Sequence, residues 1–148
     1  MTAKTDAWEN ALLQLIFNNA NAANIGDATG LRGAVTAGQL FLSLHTADPG
    51  EAGNQSTSEV AYTGYARVGI NRASGAGGFT VAGNSVSPAT QPVNFPAATG
   101  GSATATHFGI GTASSGAGVL LYRGALSASI AISSGVTPQI TILNGTED

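Results

Sequence analysis

The chain has 148 residues, of which 43% are hydrophobic and only 9% are charged, and its formal net charge at pH 7 is −3. This length supports one domain with its own core, and the hydrophobic share excludes a disordered tail. The five Lys and Arg residues are scattered, and no apolar run approaches the length of a membrane span. We therefore expect neither a nucleic-acid partner nor a membrane partner.

The chain contains no cysteine, which excludes a disulfide framework and thiolate chemistry and fits synthesis and folding in a reducing host cytoplasm. Its 21 glycines are roughly twice the average usage. Together with the few charges they predict a surface of small polar residues. Such a surface needs little desolvation when another protein covers it.

A helical pattern runs from residue 6 to residue 19. Asp6 is the expected N-cap, and Glu9 three residues later completes a capping box. Apolar residues then recur at helical spacing and form a stripe, which most often packs on the protein's own core. The alternative is a stripe that contacts a partner, with the candidate interface residues Trp8, Leu12, Leu15 and Ile16.

After a Gly- and Ala-rich connector that ends at Gly38, the apolar period changes from 3.6 to two residues, which indicates strands. Gly, Pro, Asn and Ser clusters separate the strands, and no helix lies between them. We therefore predict an all-β fold, an antiparallel β-sandwich of jelly-roll type with one N-terminal α-helix. Residues 1–38 are expected to pack as helix and connector on a β-sandwich of residues 39–148, in a single domain overall. The predicted strands are 40–45, 65–71, 79–82, 85–87, 93–95, 106–110, 119–126, 130–132 and 139–143.

The sequence contains few groups with which to build a catalytic or metal site. His45 and His107 lie on predicted strands, and with Asp48 they would supply part of a metal site of the kind found in cupin-like enzymes. Two His and one distant carboxylate are short of the usual ligand set. We therefore expect two ordinary histidines at a sheet surface, with no metal, no cofactor and no catalytic residue.

Two further patterns allow a functional and a structural interpretation. The segment Asp48-Pro49-Gly50-Glu51, with Glu59 downstream, offers carboxylates for calcium but lacks their alternating spacing, so a Pro-Gly turn is favoured. Gly109-Ile110-Gly111 begins like a dinucleotide fingerprint, but Ser114 replaces the third glycine and no helix follows.

Several stretches together resemble a widespread family of small bacteriophage virion proteins. The most specific part is Leu44-His45-Thr46-Ala47-Asp48-Pro49-Gly50 followed by Tyr65-Ala66-Arg67. The similarity covers nearly the whole chain, and its other stretches are 25–28, 95–97, 107–110 and 121–126. Members are labelled tail-fibre or virion proteins, and jelly-roll cement proteins of capsid exteriors look similar to them.

The resemblance implies a structural role in the virion and no catalytic residues. The first hypothesis is a decoration (cement) protein on the exterior of the mature capsid, which binds the major capsid protein and itself as a homodimer or homotrimer. A lattice of weak contacts becomes strong through effective concentration. The alternative is a tail or tail-fibre component that takes part in host-receptor recognition. A cupin-like enzyme is the third hypothesis.

Overall fold

A computed structural model describes residues 4–23, 25, 30 and 33–146 of the chain. Its helix and strands follow one another in this order: α1 (Asp6–Phe17), β1 (Gln39–His45), β2 (Val68–Asn71), β3 (Phe79–Ala82), β4 (Ser85–Pro88), β5 (Val93–Asn94), β6 (Ser102–Gly111), β7 (Leu120–Ser133), β8 (Gln139–Ile140) and β9 (Gly145–Thr146).

The expectation of a mainly β fold with one N-terminal helix is confirmed. The strands form a four-stranded sheet in the order β2-β1-β6-β7, a three-stranded sheet in the order β3-β4-β9, and the pair β5-β8. The pairings of β1 with β6, β6 with β7, β3 with β4, β4 with β9 and β5 with β8 are antiparallel. The jelly-roll topology stays a prediction.

The described chain forms two compact units. Unit 1 combines the residues up to Gln39 with Ile70–Gln91 and the residues from Ile142 on, and it contains α1 and the sheet β3-β4-β9. Unit 2 combines Leu40–Gly69 with Pro92–Thr141, and it contains β1, β6, β7 and the pair β5-β8. The predicted arrangement of residues 1–38 on a sandwich of residues 39–148 stays a prediction.

Helix α1 packs in unit 1 through a narrow stripe at every fourth residue. Glu9, Leu13 and Phe17 are buried, and the Phe17 ring meets the Phe79 ring of β3 edge-on at 4.9 Å between centroids. The guanidinium of Arg72 donates to the carbonyls of Leu15 and Ile16 at 2.7 and 2.6 Å. A cation is thus bound at the carbonyl end of the helix, where the helix dipole favours it.

The predicted first residue of the helix, Asp6, is confirmed, but its predicted N-cap is wrong by one residue. The N-cap is Thr5 rather than Asp6, and no side chain caps the helix there. Asp6 and Glu9 instead lie within the first turn, where acidic groups still complement the helix dipole. The helix ends at Phe17, before the predicted residue 19, because Asn19 takes a left-handed conformation with φ of 56°.

Strand β1 is central to unit 2. Leu40, Leu42 and Leu44 are buried on one face of β1, and Ser43 and His45 are buried on the other. Because both of its faces are buried, β1 is an interior strand, although its alternating sequence is more typical of a half-exposed one. Strand β7 contrasts with it, because only Ile132 of its 14 residues is buried.

Candidate functional site

The two histidines of the chain are brought together by the sheet register. His45 of β1 lies directly opposite His107 of β6. The His45 ring is fully buried; Nδ1 is 2.8 Å from the carbonyl oxygen of Thr57, and Nε2 is 2.8 Å from Oγ of Ser43. A carbonyl only accepts, so Nδ1 carries the proton and Nε2 accepts from the Ser43 hydroxyl. Burial lowers the pKa of His45, which keeps the ring neutral.

Neither nitrogen of His45 is available to a metal ion in this arrangement. Asp48, the third ligand considered, is bound by Arg123 instead. Within the described ranges, no group of three or more His, Cys, Asp or Glu side chains could hold a metal ion. The Ser43–His45 pair has the spacing of a nucleophile and its base, but both side chains are fully buried and out of reach of a substrate.

A second buried group lies beside His45 and is built around an ion pair. Arg67 donates to both carboxylate oxygens of Glu59 at 2.7 Å, and only 2% of the Arg67 side chain and 16% of the Glu59 side chain are exposed. The hydroxyl of Tyr65 donates to Glu59 at 2.8 Å and accepts from the backbone N–H of Leu44. The bond to Glu59 raises the pKa of Arg67, and burial raises the pKa of Tyr65.

These contacts fix the loop between β6 and β7, residues 112–119, which we call the β6–β7 loop. Arg67 also donates to the carbonyls of Ala113 and Gly116 at 2.8 and 2.7 Å. Gln55 is fully buried; its side chain accepts from the N–H of Ala113, and its own backbone N–H donates to Ala117. Two side chains from elsewhere in unit 2 therefore fasten a loop that has no regular structure of its own.

The Gly-x-Gly pattern of β6 serves the same packing. A Cβ on Gly111 would lie 2.2 Å from Cδ of Gln55, and a Cβ on Gly109 would lie 2.8 Å from Nε2 of His45. Glycines two residues apart lie on one face of a strand. They leave space on β6 for the buried side chains of His45 and Gln55, so the pattern has a packing role here.

We call Ser43, His45, Gln55, Glu59, Tyr65 and Arg67 the buried polar cluster. The sequence pointed to His45 and Arg67 as parts of the most specific motif, and the structure shows that Arg67 is an internal hydrogen-bond donor. Glu59 entered the sequence argument only as a calcium ligand; Glu59 and Asp48 are in fact bound by two different arginines. Gln55 was missed, because nothing local distinguishes a buried glutamine from an exposed one.

The exposed side of unit 2 carries the turn that the sequence predicted. The N–H of Gly50 donates to the Asp48 carboxylate at 3.0 Å, and Gly50 has a φ of 73°, which confirms the Asp-Pro-Gly turn. Arg123 of β7 donates to both oxygens of Asp48 at 2.5 and 2.6 Å. The bond from Gly50 and the pairing with Arg123 lower the pKa of Asp48.

A shallow depression lies beside this turn, along β7. It has a volume of about 480 Å³ and is lined by Gly50, Glu51, Gly53 and residues 120–123; we call it the edge depression. Leu121, which is 38% exposed, lines it, and Val119, just before the strand, is 60% exposed. The depression is polar and open to solvent, unlike the enclosed apolar pocket typical of small-molecule sites.

The sequence-predicted interface residues lie elsewhere, on α1 of unit 1. Trp8, Leu12, Leu15 and Ile16 are each half-buried, while the fully covered stripe of the helix runs through Glu9, Leu13 and Phe17. The structure places all four outside the buried polar cluster. Their contact with a partner stays a prediction. Among the described residues, no helix is long and apolar enough to cross a membrane.

A comparison with protein families identifies one match. The model of the family described as Podophage GP4 fiber I protein gp80 matches residues 3–146 and so includes the helix and every strand of the two units. A search of curated proteins finds no match for the chain.

Proposed function

Because the chain belongs to the Podophage GP4 fiber I protein gp80 family, we propose that it is a non-enzymatic subunit of a phage fibre. The family is one of phage virion structural proteins, and the resemblance stated from the sequence is confirmed at that level. The proposal adds a location on the tail and a role in contact with other proteins. It follows the tail alternative of the sequence analysis, since the family's description names a fibre.

The observation that carries the proposal is the way the buried polar cluster fixes two loops. Residues 46–59 and the β6–β7 loop have no extended ladder of their own, yet Arg67 and Gln55 bind them by five hydrogen bonds between them. Loops that are already ordered lose little entropy when a partner binds. An ordered loop surface suits assembly and recognition.

The positions of the titratable side chains support a non-enzymatic role. Catalytic groups must reach a substrate, whereas His45 is fully buried and the Arg67 side chain is nearly so. Of the five basic residues, Arg67, Arg72 and Arg123 bind groups of this same chain. These contacts leave little positive charge for phosphates, which supports a protein rather than a nucleic acid as partner.

A second candidate function is decoration of the capsid exterior through contact with the major capsid protein. The observation that favours it is the sparse charge, with 13 charged side chains in 148 residues. Affinity would then come mainly from apolar and backbone contacts, which salt screens little. A low-charge surface suits repeated contacts on a lattice, where effective concentration multiplies weak binding.

Electron microscopy of purified virions separates the two candidates. An antibody against the chain, or density that fits units 1 and 2, should mark the tail at a handful of copies per virion. Labelling of the whole capsid shell at hundreds of copies would reject the fibre proposal in favour of decoration. Absence of the chain from purified virions would reject both.

A further inference from the structure

The pair Asn144-Gly145 combines two residues that react with each other. Asn144 precedes a glycine, whereas every other asparagine of the sequence precedes a residue with a side chain. An asparagine loses its amide without an enzyme when the backbone nitrogen of the next residue attacks its side-chain carbonyl carbon. A glycine in that position hinders the attack least, because it has no Cβ and its backbone adopts conformations that other residues avoid.

The structure makes this pair accessible. Asn144 is exposed and lies outside regular structure, between the buried Leu143 and strand β9. Strand β9 pairs with β4 over two residues only, and one of these pairs joins Gly145 to Val86. A pairing this short opens locally at a small cost in free energy, and opening makes the nitrogen of Gly145 available for the attack.

The chain is fixed on both sides of Asn144. Leu143 is 4% exposed; its N–H donates to Oε1 of Gln91 at 3.0 Å, and its carbonyl accepts from Nε2 of Gln91 at 3.3 Å. On the other side, Gly145 pairs with Val86. A single residue separates these two points, so the segment has no slack that could absorb a longer backbone.

We propose that Asn144-Gly145 is a site of spontaneous deamidation, and that its isoaspartyl product releases β9 from β4. The nitrogen of Gly145 loses its proton and forms a bond to Cγ of Asn144, while the Cγ–Nδ2 bond breaks and ammonia leaves. Water then opens the resulting succinimide ring at one of its two carbonyls. Opening at Cγ gives an ordinary aspartate; opening at the main-chain carbonyl leaves Gly145 bonded to Cγ, which is isoaspartate.

The two products differ in what they do to the sheet of unit 1. Each adds one negative charge at residue 144, but only isoaspartate lengthens the backbone, by one atom between Leu143 and Gly145. Strand β9 is then displaced along β4, and a two-residue pairing is lost when its register shifts. Leu143 keeps its place, because its buried side chain adds to the two hydrogen bonds with Gln91. The inference goes beyond the proposed function and does not depend on the chain's place in the virion.

Peptide mass spectrometry of the full chain, aged in mildly alkaline buffer, tests the site. Trypsin cleaves after Arg123, and residues 124–148 then contain Asn144 as their only asparagine. We expect the deamidated form of this peptide to accumulate first. Asn144→Gln should keep it unmodified, and Gly145→Ala should slow its modification; a Cβ there meets Cγ1 of Val86 at 3.4 Å, an ordinary contact. Equal rates with and without Gly145, or earlier deamidation elsewhere, would overturn the site.

Hydrogen exchange then tests the release of β9. The isoaspartyl fraction of the aged protein, separated by ion exchange, is compared with Asn144→Asp, which has the same added charge and an ordinary backbone. We expect the β4 amides of Ser85 and Val86 to exchange about tenfold faster in the isoaspartyl fraction, because β9 no longer covers that edge. Strand β6, in unit 2, should exchange equally in both proteins. Equal exchange of β4 in the two proteins would contradict the release.

Discussion

Two arginine–carboxylate pairs of unit 2 have opposite surroundings. Arg67 and Glu59 lie inside the buried polar cluster with side-chain exposures of 2% and 16%, whereas the values for Arg123 and Asp48 are 32% and 49%. The inner pair binds backbone carbonyls and a tyrosine, and so determines where two loops lie. In the outer pair, the Asp48 carboxylate compensates the charge of Arg123 on β7. The same chemistry thus determines the course of two loops in one place and joins a turn to a strand in the other.

Breaking the inner pair, Arg67 and Glu59, is expected to have the largest effect on the stability of the protein. In Glu59→Gln, Arg67 keeps its burial but loses its counter-charge. An uncompensated buried charge is strongly unfavourable, so we expect the free energy of unfolding to fall by about 3 kcal/mol in denaturant titrations. Arg123→Gln is the control, since it also leaves one charge of an ion pair without its partner, but in the exposed outer pair. Similar unfolding midpoints for the two variants would show that burial does not distinguish the pairs.

A smaller loss of unfolding free energy is expected from a substitution in β6, at the glycine that leaves space for Gln55 of the buried polar cluster. Gly111→Ala places a methyl group 2.2 Å from Cδ of Gln55 and 2.5 Å from the carbonyl oxygen of Val119. Overpacking of this kind costs about 2 kcal/mol in unfolding free energy.

Gly38→Ala is the control for that substitution, because a Cβ there meets nothing within 4 Å. We expect it to be neutral or stabilising by about half a kcal/mol through the unfolded chain. Thermal unfolding of both variants decides the question; a neutral Gly111→Ala would mean that Gln55 leaves the space freely.

The strands were predictable where local pattern decides them. Phe79–Ala82 was predicted with both ends correct, because glycines precede and follow a short alternating run. Leu120–Ser133 was predicted as two strands, since Ser127, Ala128 and Ser129 resemble a connector. Those residues lie in the bulge of a single long strand. A polar interruption in a sequence does not distinguish a bulge from a loop.

The buried polar cluster was predictable only in part. His45 and Arg67 stand in a specific motif. Alternation correctly placed His45 on a strand, whereas the predicted strand 65–71 begins only at Val68, so Arg67 lies just before β2. Some of the cluster's partners are distant in the chain: Arg67 donates to carbonyls 46 and 49 residues further on, and Gln55 is 58 residues away from Ala113. Composition and period carry no information on such contacts. The contact at the C-terminal end of α1 has the same character, since Arg72 is 56 residues away from Ile16.

The pH dependence of stability sharpens the comparison further. The folded-state pKa of His45 lies below the ordinary value of 6.5, since burial outweighs the hydrogen bond to Thr57 and the charge of Glu59, while Arg67 and His107 lower it further. The unfolded chain therefore binds more protons as pH falls below about 6.5. The contribution of neutral, buried His45 to the free energy of unfolding is therefore complete above about pH 6.5. It decreases as the pH falls from there to the folded-state pKa.

Urea titrations between about pH 8 and pH 5 measure this decrease, in a range where ordinary carboxylates stay ionised. The slope cannot exceed about 1.4 kcal/mol per pH unit for one proton. His45→Gln keeps a polar side chain without the titration, so the difference between its profile and that of the wild type isolates His45. Parallel profiles would assign the acid sensitivity to other groups.

The smallest effect is expected at the outer pair. Arg123→Gln should leave the denaturation midpoint indistinguishable from that of the wild type, because exposed ion pairs contribute little and salt screens them. Denaturant titrations at low and high salt measure this, and we expect the variant and the wild type to have equal midpoints at both. A variant that unfolds as easily as Glu59→Gln would reverse the roles assigned to the two pairs.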